Sequence, residues 1–317
     1  MTSSDWTIID RAKSVRRYSR LDEIESVLRD HWFSYLLVVP IALFLVSLMW
    51  FPFMRGIWMS FHKWPFVGEP QWVGLDNYTF LMSWDVFFTS MKATVLFATT
   101  TFIQLVVALA AALAVSQISR FKSVINGVFL IPYAMPPLVS GTIWVYLLEP
   151  DLGPVFGYLT KWGVLAESIY WTANGDTALA VITFATAWTF WPFMFIIFTA
   201  GLQKIPDEYY ETARVYGANR WQTFRNITLP QLKGPILVAI SIRMVWNLSK
   251  VSQPLQMTQG GPGYETSILA VLLYNYTYDR GQLGFAFTLG VILFVITFGF
   301  VFLFIREFER ENEVGRA

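Results

Sequence analysis

Apolar residues gather into six long runs, at about 33–57, 86–115, 124–148, 177–202, 232–256 and 283–306, separated by shorter polar stretches. A helix crosses the hydrocarbon core with about 20 apolar residues, so each run is long enough to span a membrane. The pattern predicts an all-α polytopic membrane protein with six transmembrane helices. Trp32, Trp50, Trp58 and Trp64 flank the first run, at the headgroup level where tryptophan anchors a span. A polar tail, 1–32, precedes the spans and another, 307–317, follows them. In the first tail Leu21, Ile24, Val27 and Leu28 recur at helical spacing among charges, which fits either a surface helix or a solvated tail.

The polar stretch 203–230 has local structure of its own. Pro206 presets a helical φ, Asp207, Glu208 and Glu211 suit the positive end of a helix dipole, and Gly217 is a natural stop. These signals predict a helix from roughly Pro206 to Tyr216. Asn219 then caps a second short helix carrying Trp221, Phe224 and Ile227 or Thr228 on one face, and Pro230 is expected to break it before the next apolar run.

Charge fixes the sidedness. Six basic residues of the N-terminal tail, Arg120 and Lys122, five in 203–233, and Arg306, Arg310 and Arg316 fall on one side; only Lys63, Lys161 and Arg280 fall on the other. This positive-inside asymmetry puts both termini and the 203–230 loop in the cytoplasm. The tail 1–32 lacks the apolar core and cleavage site of a signal peptide and is expected to stay there. The overall charge of +1 gives no support to nucleic-acid binding.

Three strings carry a family resemblance. Glu211-x-Ala213, Gly217 and Ile227-x-Leu229-Pro230 resemble the EAA loop of ABC-transporter permease subunits; Thr212 stands where a second alanine is usual, and Tyr216 where an aspartate is common. Val73-Gly74-Leu75-Asp76-Asn77-Tyr78 is similar to a string that precedes the second core helix of sugar permeases. Thr258-Gln259-Gly260-Gly261-Pro262-Gly263-Tyr264-Glu265-Thr266 resembles their Gly-Gly-Pro signature after the fifth. The resemblance covers most of residues 33–306. It implies the maltose and glycerol-phosphate type of binding-protein-dependent importer, with 203–230 as a coupling loop whose Glu208, Tyr209, Glu211, Thr212, Ala213, Gly217, Ile227 and Pro230 dock an ATPase. It further implies a second homologous permease, two ATP-binding subunits holding ATP and Mg, an extracytoplasmic solute-binding protein, a carbohydrate substrate and a place in the cell membrane among lipid. An importer of another solute, such as a sugar phosphate or polyamine, and a single-chain ion-coupled carrier are the alternatives.

The chain has no G-x-x-x-x-G-K-[ST] phosphate loop, so no cofactor is expected on it and energy must come from elsewhere. It has no cysteine, and its two histidines, His31 and His62, border the first run, where a headgroup-level role is expected rather than a metal site. No catalytic set is visible. Two polar features lie within the spans. Arg243, Asn247 and Lys250 share one helical face in the fifth run, where each buried charge costs about 2.5–3.5 kcal/mol, so that face should meet water, a partner's carboxylate or a ligand. In the fourth run Trp188 and Trp191 stand among Thr183, Thr186 and Thr189, a mixture that suits the C–H face and hydroxyl rim of a sugar, though such tryptophans also serve as interfacial anchors.

Overall fold

The computed structural model describes residues 20–118 and 120–314 and divides into two compact units, one ending at Gly56 and one beginning at Ile57. Expectations for residues 1–19 and 315–317 lie outside the described residues. In the first unit α1 (Arg20–Leu45) leaves the helical region at His31 (φ −120°, ψ 17°), so its polar beginning is set off from its apolar continuation. A π turn, Val46–Trp50, joins it to α2 (Phe51–Ser60). The Phe51 amide bonds the Val46 carbonyl five residues back, and Pro52 follows at once. Proline lacks an N–H and its ring collides with the carbonyl four residues back, so a π turn just before it relieves both demands.

The second unit is built on α9 (Gly175–Leu202), which is apolar around its whole circumference and therefore suited to burial on all sides. It packs most extensively against α5 (Thr100–Ser116), with α6 (Lys122–Ala134) and α12 (Leu229–Leu248) beside it. Ala108 and Ala112 of α5 lie in one buried cluster with Met194, Phe195 and Phe198 of α9 and with Ala239 and Ile240 of α12. Small residues on one helix let the backbones approach while the large ones fill the space between them, as association within lipid requires. At the start of α9, the Asn174 side chain accepts from the amides of Asp176 (2.9 Å) and Thr177 (3.3 Å).

Two of the expected spans are not single rods. The run 124–148 divides into α6 and α7 (Pro137–Leu147), bent by 91° at a break. Pro136 drives its predecessor Met135 to extended backbone (ψ 134°), and Pro137 then opens the next helix. The run 232–256 divides at Ser249–Val251 into α12 and α13 (Ser252–Thr258). Here Pro254 would collide with the Lys250 carbonyl if the helix ran on. Four described helices are long and apolar enough to cross a membrane, or five counting the bent pair. The 20-residue α12 is not among them, because Gln231, Lys233, Arg243 and Asn247 dilute its apolar character. In the other direction, Pro230 does not break the chain: α11 (Arg220–Thr223), a π turn (Phe224–Thr228) and α12 run on continuously. The device is the one seen before Pro52, an amide at residue 229 bonding the carbonyl of Phe224.

The Val73–Tyr78 string acts as a staple. A two-stranded antiparallel ladder pairs His62 with Trp72 and Lys63 with Gln71. Asn77 donates its amide to the carbonyls of Ser60 (2.8 Å) and His62 (3.0 Å), and the Tyr78 hydroxyl meets Ser60 Oγ at 2.6 Å. From the far end of the sequence, Thr288 donates to the same Ser60 carbonyl at 3.1 Å. His62 is buried beneath this staple. Its Nδ1 lies 2.8 Å from the Trp58 carbonyl, and its ring is flanked by Trp58 and Trp72.

Candidate functional site

The polar stretch 203–230 folds much as its residues dictate. Helix α10 spans Asp207–Val215 behind Pro206, with Asp207 and Glu208 in its first turn. The chain then turns through Gly217 at φ +74°, where a side chain would meet no neighbour within 4 Å. Glycine is needed there for the backbone conformation and not for space. Asn219 and Gln222 form a reciprocal capping box, the Gln222 amide bonding Asn219 Oδ1 at 2.9 Å and the Asn219 amide bonding Gln222 Oε1 at 2.8 Å. The corner between the helices therefore satisfies its own backbone and projects Val215, Tyr216 and Trp221, which are 85%, 86% and 66% exposed.

Glu208, Tyr209, Glu211 and Thr212 are exposed on α10, Ile227 is half-buried, and Pro230 is exposed at the start of α12. Ala213 is the exception. It is buried within its own chain. The Tyr210 hydroxyl and Thr228 Oγ1, 3.3 Å apart, link α10 to the π turn.

Within the spans, Arg243 is fully enclosed. Its Nε donates to Gln104 Oε1 of α5 at 2.9 Å and its Nη2 to Asn247 Oδ1 at 2.6 Å; Asn247 in turn donates to Thr101 Oγ1 at 2.8 Å. The guanidinium lies 4.6 Å from the ring centroid of Phe190 and 5.6 Å from that of Trp246. The half-buried Lys250 places its Nζ 3.8 Å from the same Phe190 centroid. Trp188 and Trp191 belong to other contacts: Trp188 packs edge-on against Trp144 at 5.4 Å, and Trp191 against Phe129 at 5.3 Å. Beside Lys250 a second polar cluster closes, in which Ser140 and Thr189 share a 2.7 Å hydrogen bond and Gln253 Nε2 donates to both, at 3.3 and 3.2 Å.

The Gly-Gly-Pro segment ends α13 in a knot of left-handed backbone, with Gln259, Gly260, Gly263 and Tyr264 all at positive φ and a cis bond between Gly261 and Pro262. The Thr258 and Thr266 hydroxyls, 2.7 Å apart, close it, and Thr266 also donates to the Gly261 carbonyl at 2.6 Å. Arg280 donates to the hydroxyls of Tyr276 (2.9 Å) and Tyr264 beside a cleft of about 420 Å³. Burial raises the Tyr276 hydroxyl above its ordinary pKa, with Arg280 opposing.

With this geometry in place, the family model described as "Binding-protein-dependent transport system inner membrane component" matches residues 104–308. This chain belongs to that family. The trehalose/maltose transport system permease protein MalF of Thermococcus litoralis is 30% identical over 89% of this permease and 96% of its own length. The sulfoquinovosyl glycerol transport system permease protein SmoG of Agrobacterium fabrum is 32% identical over 85% of the chain and 88% of its own. In fold, the permease is similar to a chain of a bacterial ABC transporter that imports the acidic polysaccharide alginate, with a TM-score of 0.77 at 20% identity, covering 91% of this chain and 99% of that one. The protein is accordingly a multi-pass inner-membrane permease subunit of an ABC importer, a non-catalytic component.

The spacing of Arg243, Asn247 and Lys250 predicts one helical face, but α12 ends at Leu248 and leaves Lys250 beyond it; the spacing also misses Thr101, Gln104 and Phe190, which complete their surroundings, and the Ser140–Thr189–Gln253 cluster. A signal for one of them was present: Gln104 is the one amide in the run 86–115.

Proposed function

We propose that this permease forms half of the translocation path of a carbohydrate importer. A second homologous permease supplies the other half, two ATP-binding subunits holding ATP and Mg dock below, and a solute-binding protein delivers the sugar from outside. The observation that carries the reading is the 203–230 loop: two self-capped helices around a positive-φ glycine, with an exposed apolar tip of Val215, Tyr216 and Trp221. A monomer gains nothing from an exposed tryptophan, tyrosine and valine side by side, whereas a docking helix pair does. Glu208, Tyr209, Glu211 and Thr212 line the docking face, and Gly217 sets the angle between its helices. Ala213 and Ile227 are the less exposed members of the same docking set, and Pro230 lies in the first turn of the helix that leads from it into the membrane domain.

The cytoplasmic side of this domain, 33–306, is the side of the loop and of both tails, 1–32 and 307–317, in keeping with the distribution of lysine and arginine. A carbohydrate substrate fits the relatives, whose names include trehalose, maltose and sulfoquinovosyl glycerol. Lys250, with Arg243 and Asn247 behind it, borders the path; Trp188, against Trp144 of α7, and Trp191, against Phe129 of α6, support it from α9. The test is solute-stimulated ATP hydrolysis by the assembled transporter in liposomes across a panel of sugars. Stimulation by a sugar is expected. Uptake by liposomes holding this chain alone, driven by an ion gradient, would overturn the reading in favour of a secondary carrier.

A further inference from the structure

The partners of Arg243 and Lys250 are all neutral. Arg243 bonds two amide oxygens and lies against Phe190 and Trp246, and the Lys250 ammonium rests over Phe190. Residues 86–148, 177–206, 231–264 and 280–306 contain no aspartate or glutamate, so the one acid on the described helices around these two cations is Asp176, in the first turn of α9 and fourteen residues from Phe190. Arg243 Nη1 is a buried donor with no hydrogen-bond partner. The carbonyl end of α12 lies next to Lys250 but supplies only a partial charge. Two cations kept within a membrane domain normally find a counter-charge or water.

What lies beside them narrows the choice of counter-charge. Lys250 sits at the break between α12 and α13, and is half-buried where Arg243 is sealed. One helical turn further on, Gln253 contacts Ser140 and Thr189 but leaves its Oε1 buried and without a donor. A carboxylate from a neighbouring subunit would answer the positive charge and leave that acceptor unanswered. A solute carrying both an anionic group and hydroxyls answers both.

Resting on the importer reading above, we propose that the α12–α13 break carries an anion-selective subsite. There the Lys250 ammonium contacts a carboxylate, sulfonate or phosphate of the transported sugar. Arg243, which touches no solute, is a positioning residue: it holds Phe190 beneath Lys250 and supplies a fixed positive charge behind it.

The test uses the assembled transporter in nanodiscs with its lysines converted to ¹³C-dimethyl-lysine, which keeps the charge; the signal missing from Lys250→Arg identifies Lys250. Trigalacturonate, glycerol 3-phosphate and maltotriose are titrated in turn at constant ionic strength, without nucleotide and with a non-hydrolysable ATP analogue. The expected result is that the Lys250 signal moves with trigalacturonate or glycerol 3-phosphate at a concentration at least about tenfold below that needed with maltotriose. Which of the two acts tells carboxylate from phosphate. Lys250→Met should lower uptake of that anion by about tenfold or more, and Arg243→Gln should weaken it in the same direction. A Lys250 signal that responds equally to maltotriose, or to no probe in either nucleotide state, overturns the subsite. ATP-driven uptake of that anion that is equal in wild type and Lys250→Met also overturns it, yet leaves the importer reading standing.

Discussion

The 203–230 loop and the Arg243 site are both polar interruptions of an apolar chain, and they are held in opposite ways. In the loop, the capping bonds join Asn219 to Gln222, three residues apart, and the corner at Gly217 is a matter of one backbone angle. At the Arg243 site, the bonds to Gln104 and Thr101 reach 139 and 146 residues along the chain. A loop that satisfies itself can be exposed and altered without disturbing the spans, so its sequence is free to serve a partner. A buried network that spans two helices makes each member a condition of their packing. Changes in the loop should therefore be cheap for folding and costly for coupling, and changes at Arg243 the reverse.

The largest effect is expected for Arg243→Leu, which leaves the side-chain oxygens of Gln104 and Asn247 buried without a donor. At about 1–3 kcal/mol for each orphaned acceptor, the loss is about 2–6 kcal/mol, read as a fall in the thermal midpoint of the solubilised protein. The variant Gln104→Leu should be partly non-additive with it, by about 0.5–3 kcal/mol in a double-mutant cycle, because the two groups share one hydrogen bond. Full additivity would show that the network is not the unit that joins α5 to α12.

Ala213→Trp comes next and crosses the boundary between the two regions. Because Ala213 is buried in its own chain, overpacking should cost about 1–3 kcal/mol of this protein's stability before any partner is present. A normal melting temperature with the ATPase released would instead return Ala213 to the docking surface. Gly217→Val is expected to cost about 1–2 kcal/mol at the corner, confined to the loop, since a β-branched residue resists φ +74°. Its signature is lost ATPase co-purification with an unchanged melting temperature, and Gly217→Asn, which tolerates the left-handed region, should restore docking.

What the sequence reveals follows the same division. The apolar runs are legible because the membrane demands consecutive apolar residues, and the 203–230 loop because its caps and turn are local. Pro230 misleads, since sequence rules offer a break where the backbone inserts a π turn, as it also does ahead of Pro52. Pro254 hides its effect in the opposite sense, ending α12 six residues upstream of itself within a run that reads as one span. At His62 the sequence shows only the border of an apolar run and not the residues 71–78 that fold back over it. The face shared by Arg243 and Asn247 is legible from helical spacing, whereas Lys250 lies past the end of α12 at Leu248 and meets them only around Phe190; what that face meets is not legible, because Gln104 and Phe190 reach it only through the packing of α5 and α9.

The smallest expected effect tests how self-sufficient the loop is. Asn219→Ala removes the side chain that caps α11 and leaves the Gln222 amide to water, at a cost of about 1 kcal/mol for an exposed cap. Asn219→Asp keeps an acceptor at the same place and should behave as wild type. Because α11 continues through the π turn into α12, the loss could either stay in the first turn or loosen the helix that carries Arg243. The reciprocal box and the high exposure of Trp221 favour the first. Hydrogen exchange of the assembled and of the free permease separates them. Faster exchange confined to residues 219–223, with the Arg243 turn still protected and a modest fall in ATPase affinity, is the expected outcome. Accelerated exchange reaching residues 240–248 would show that the loop and the buried network are one cooperative unit and would erase the distinction between them.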